Sequence, residues 1–155
     1  MKKLWESRAF WRWVVLAAIG VTTGIIWYLS LIPAGQSSQQ SDRLVAPVVT
    51  VTKMGGDFFD YLFVFVRKMA HFIEFFGLGF LWAVYGKLRY RPLPLMWLYG
   101  LWVGIADELL QGFAPGRAPG FWDVVLDYCG YFCGFALVFA AVDWYLRRKK
   151  RKLGK

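Results

Sequence analysis

The chain has 155 residues, 58% of them hydrophobic and 20% aromatic, with a net charge of +9. Soluble domains of this size run about 45–50% apolar. The excess here is gathered into long runs, which excludes a soluble fold and predicts one all-α, polytopic membrane domain over 1–155.

Positive charge is concentrated at the two ends. Lys2, Lys3, Arg8 and Arg12 stand in front, and Arg147, Arg148, Lys149, Lys150, Arg151, Lys152 and Lys155 stand behind. Beside membrane helices such clusters mark cytoplasmic flanks in contact with anionic lipid, so no nucleic-acid partner is expected.

The first span is predicted over 13–32, a run without a charge. The basic front end resembles a signal peptide. The apolar run is longer than the usual ~7–15 residues, so it reads as a retained helix. Pro33 and Gly35 end it. Residues 36–43 read as a loop, and 46–54 offer a short amphipathic interfacial helix broken by Gly55-Gly56.

Residues 58–67 are amphipathic and lead into a second span over 68–86. Arg67, His71, Glu74 and Leu78 are four, three and four apart, which places them on one helical stripe. The turn at 87–94 is basic and holds two prolines. A third span follows over 95–112, with Asp107, Glu108 and Gln111 in its last turn.

Residues 114–120 (APGRAPG) form a tight loop, since Pro and Gly oppose helix. The fourth span is predicted over 121–146, with the tail at 147–155. Asp123 and Asp127 share one face of its first turns. Gly130 and Gly134 continue that side and permit close helix approach. Cys129 and Cys133 read as small packing residues.

Loop charges set the expected topology. The front end, the 87–91 turn and the tail belong in the cytoplasm, so four spans leave both termini inside. The 33–66 and 113–120 segments then lie outside. Arg67 and Lys68, at the outer end of the second span, run against the simple charge rule. The polar ends of spans two, three and four fall at one level of the membrane.

Arg67-Lys68-Met69-Ala70-His71-Phe72-Ile73-Glu74-Phe75, then Asp107-Glu108-x-x-Gln111-x-Phe113-x-Pro115-Gly116-Arg117, then Asp123-Val124 with Asp127 and Gly130, resemble the VanZ-like membrane proteins. The order and spacing match over roughly 60–135. That family is named for a protein of glycopeptide-resistance clusters associated with reduced susceptibility to teicoplanin. The resemblance implies a small multi-pass protein of the bacterial cytoplasmic membrane. The family often carries Ser-Ser-Gln just after the first helix. That place reads Ser30-Leu31-Ile32 here, with Ser37-Ser38-Gln39 slightly later, and these residues stay outside the candidate site.

The candidate binding residues are Arg67, Lys68, His71, Glu74, Asp107, Glu108, Gln111, Arg117, Asp123 and Asp127. Three positive and five negative charges give the cluster −2 with His71 neutral. Such an excess does not persist bare in a low dielectric.

Three readings stand open. The first is a structural staple, with Arg117 paired to Asp123 or Glu108 and Lys68 to Glu74. In the second, Arg67, Lys68 and Arg117 grip the phosphate of a cell-envelope lipid or precursor, Arg117 in bidentate fashion. The third is an enzyme, with His71 and Glu74 as base and orienter and Asp107 or Glu108 as acid.

No cofactor is required, although carboxylates in this number could hold Mg²⁺ or Ca²⁺. A single His without a paired His or Cys disfavours zinc. The exposed aromatics permit a homo-oligomer without requiring one.

Overall fold

Charge-free sequence at 13–30 lets the first helix run without interruption, and basic residues extend it forward. The computed structural model describes residues 2–33, 35, 57–89 and 94–153. Four α-helices account for most of them: α1 (Lys2–Ser30), α2 (Asp57–Arg89), α3 (Pro94–Gln111) and α4 (Phe121–Leu153). The expected interfacial helix at 46–54 and Ser37-Ser38-Gln39 lie outside the described residues.

The helices run longer than the apolar runs alone predict. The amphipathic 58–67 piece is continuous with the second span, because no proline falls between Asp57 and Arg89. The basic tail remains helical through Leu153. α1 closes with Leu31 N–H and Ile32 N–H donating to the carbonyls of Tyr28 and Leu29, at 3.2 Å each, just before Pro33.

Three helices are long and apolar enough to cross a membrane, over Ser7–Ser30, Tyr61–Arg89 and Phe121–Lys149. The chain is therefore an all-helical membrane protein. α3 has 18 residues, about 27 Å of helix. Asp107, Glu108 and Gln111 in its last turns lower its apolarity.

Contacts between helices give their directions. Thr23 meets Tyr99 through their hydroxyls at 3.0 Å, Trp27 Nε1 donates to the Val103 carbonyl at 3.5 Å, and Ser30 meets Asp107. Residue numbers rise together, so α1 and α3 are parallel. Tyr131 bonds the Met96 carbonyl while Asp127 lies by Gly104, so α4 runs against α3. Gly130 abuts the Phe72 backbone and Gly134 that of Phe76 and Phe80, so α2 and α4 are parallel. The result is an up-down-up-down bundle.

The α2–α4 pairing is the most extensive in the bundle. Glycine makes it possible. A Cβ at Gly130 or Gly134 would overlap the facing backbone of α2, and one at Gly79 would overlap Tyr131. The expected close approach of the Gly-x-x-x-Gly side is thus present. Phe75, Leu78, Val103, Tyr131 and Phe135 fill the interior.

Many large side chains face outward, among them Trp13, Tyr28, Phe65, Ile73, Trp102 and Trp122. An apolar surface of this extent suits lipid, not water. Cys129 and Cys133 also face outward. This corrects the expectation that they pack inside: Gly130 and Gly134 hold the contact face of α4, and the cysteines, each one residue earlier, turn away from it.

Candidate functional site

On α3 the buried face runs Met96, Gly100, Val103, Gly104, Asp107, Glu108 and Gln111. The same stripe that packs apolar atoms at one end carries ionic ones at the other. Asp107 is completely buried. One of its oxygens accepts from the Ser30 hydroxyl, which also contacts the Ile26 carbonyl at 3.0 Å. The other accepts from Gln111 Nε2 at 2.9 Å.

Glu108 is bound at both oxygens. Oε1 accepts from Gln111 Nε2 at 3.1 Å, and Oε2 accepts from the Gly120 backbone N–H at 2.6 Å. Gly120 immediately precedes α4 and its carbonyl accepts from Asp123 and Val124, so Glu108 joins the end of α3 to the start of the next helix. The carboxylate also sits at the positive end of that helix dipole.

Between them the chain turns on Gly116, whose φ of 78° is costly for a residue with a Cβ. The Arg117 N–H donates to the Ala114 carbonyl at 3.2 Å, which closes the turn. Its guanidinium reaches the Ser30 carbonyl at 3.5 Å through Nη1, while Nε is buried without a hydrogen bond among the described residues. Burial, then the nearby Arg67, pull the Arg117 pKa below its usual range, while Asp107, Glu108 and Glu74 oppose that. Arginine nonetheless stays charged at neutral pH.

The α2 stripe supplies the facing wall. Lys68 Nζ pairs with Asp123 near the start of α4, both about half exposed. His71 Nδ1 lies 3.9 Å from Asp107 Oδ2. Asp127, completely buried, presents two carboxylate oxygens with no hydrogen bond among the described residues.

These groups enclose a cavity of about 190 Å³. Its walls hold Arg67, Lys68, His71, Glu108, Gln111, Arg117, Asp123 and Asp127, with Phe63, Val64 and Leu126 on the apolar side. Eight of the ten predicted site residues therefore line one space. Asp107 lies just behind it, reached through His71 and Gln111. Glu74 is not among the lining residues.

The expected pairings are corrected. Lys68 pairs with Asp123 and not with Glu74. Among the described residues neither Asp123 nor Glu108 forms an ion pair with Arg117. The carboxylate facing His71 is Asp107, not Glu74, because α3 supplies it from across the bundle.

Ser30 belongs to the site and was omitted from it on the sequence. A usable signal existed: Val15, Ile19, Thr23, Ile26 and Ser30 fall four, four, three and four apart and are the buried line of α1. A hydroxyl at the end of such a line needs a partner inside.

Together these features define a small helical membrane protein with an ion-rich cavity at one end of its bundle. A family model described as VanZ/LLP1 matches residues 11–142, and the chain belongs to that family. The match takes in the polar parts of all four helices. No curated protein and no solved structure matches the chain.

Proposed function

We propose that this protein binds the phosphate-bearing headgroup of a cell-envelope lipid or lipid-linked precursor in the cavity, at the outer face of the bacterial cytoplasmic membrane. On this reading α3 also spans the bilayer, both termini are cytoplasmic, and binding contributes to glycopeptide resistance of the teicoplanin type.

The observation that carries the reading is the state of the two arginines. Arg67 and Arg117 line the cavity, yet neither forms an ion pair among the described residues. A guanidinium left without a carboxylate at a membrane-level cavity suits a bidentate anion. The apolar wall at Phe63, Val64 and Leu126 offers a path for an acyl or prenyl chain.

The carboxylates then serve to place the cations. Asp123 holds Lys68, and Glu108 fixes the 112–120 turn through Gly120. In a host that depends on the protein for resistance, Arg117→Ala and Glu108→Gln should abolish the phenotype while membrane abundance stays normal. Loss of abundance in step with resistance would favour a purely structural staple.

A further inference from the structure

We infer that His71, Asp107 and Asp127 form a binding site for a divalent transition-metal ion, Mn²⁺ or Zn²⁺, on the floor of the cavity. One ligand atom from each lies within 4.8 Å of the others. Three helices supply them: α2, α3 and α4.

Asp127 is completely buried and lines the cavity, with both oxygens unpartnered among the described residues. His71 Nδ1 is also buried without a hydrogen bond, 3.9 Å from Asp107 Oδ2. A buried carboxylate with no donor is costly unless it is neutralised or coordinates a cation.

The dimensions suit an ion. Ligands about 2.1 Å from one centre in a tetrahedral array are about 3.4 Å apart. The His71 and Asp107 atoms are 3.9 Å apart and all three ligand atoms lie within 4.8 Å of one another, so the side chains must draw in by up to about 1.4 Å to hold an ion. Asp107 already has the outer support that ligating carboxylates need, from Ser30 and Gln111. The imidazole nitrogen moves the preference from Mg²⁺ or Ca²⁺ toward Mn²⁺ or Zn²⁺.

The site shares the cavity with the anion-binding arginines but uses neither of them as a ligand, so metal binding and anion binding are measured apart. Metal-stripped protein in nanodiscs is titrated with Mn²⁺ and followed by electron paramagnetic resonance. One Mn²⁺ per chain should bind, with nuclear coupling to an imidazole nitrogen that changes on ¹⁵N-histidine labelling. His71 is the chain's one histidine, so the coupling identifies it. Asp127→Asn should weaken binding at least tenfold, and Asp143→Asn, far along α4, should leave it unchanged.

Absence of saturable Mn²⁺ binding, or binding without nitrogen coupling, would overturn the site. So would equal affinity in a folded Asp127→Asn variant. If that variant does not fold, the nitrogen coupling of the wild-type protein decides.

Discussion

Ser30, the last residue of α1, hydrogen-bonds Asp107, 77 positions further on and in the penultimate turn of α3. The contact ties two parallel helices at the level of the cavity. It also keeps one Asp107 oxygen occupied, which leaves the other facing Gln111 and His71. Ser30→Ala should destabilise the protein by about 1 kcal/mol, the usual size for hydrogen bonds between membrane helices. Unfolding in mixed detergent micelles checks this, and no change would remove Ser30 from the site.

The α2–α4 contact depends on glycine. Gly134→Leu should prevent assembly, because the new side chain would have to displace the Phe76 and Phe80 backbone. Gly20→Ala and Gly24→Ala meet open space and should be tolerated. Size-exclusion profiles of the three variants test the contrast.

The Lys68–Asp123 pair is partly exposed, with side chains 45% and 39% accessible. Pairs of this kind contribute about 0–1 kcal/mol. A double-mutant cycle should return a coupling below about 1 kcal/mol. A coupling of 3 kcal/mol or more would make the pair a structural staple.

Gly116→Ala forces a Cβ onto a left-handed backbone, at a cost of about 1–2 kcal/mol. Its effect on headgroup binding should exceed its effect on stability, because Arg117 is the next residue. Comparing the shift in melting temperature with the shift in Kd separates the two.

The loop assignment is tested with a single reporter. In a background with Cys129 and Cys133 changed to Ser, a cysteine at Ala118 should react with a membrane-impermeant maleimide in intact cells. Reaction only after the cells are permeabilised would place the 112–120 turn in the cytosol.

Much of this was legible in the sequence. Charge-free runs and Pro/Gly punctuation located the helices, and i, i+3 and i, i+4 spacing put Arg67 and His71 on one wall. Helix ends were less legible: 58–67 reads as an amphipathic lead-in, and only packing shows that it is one continuous helix with the second span from Asp57. Pairings were not legible. Lys68 is six residues from Glu74, but the bundle turns it toward Asp123 on another helix. Ser30 was legible only as the polar end of the Val15–Ile19–Thr23–Ile26 line, and its partner Asp107 on α3 was not.

The central claim is that arginines from α2 and the 112–120 turn share one phosphate-binding cavity. Its most direct measurement is equilibrium binding of a short-chain polyprenyl phosphate to the protein in zwitterionic nanodiscs. The account predicts saturable binding of one ligand per chain, weakened at least tenfold by Arg67→Ala and by Arg117→Ala, and unchanged by Arg148→Ala. Binding that does not saturate, or that falls equally in all three variants, would contradict it.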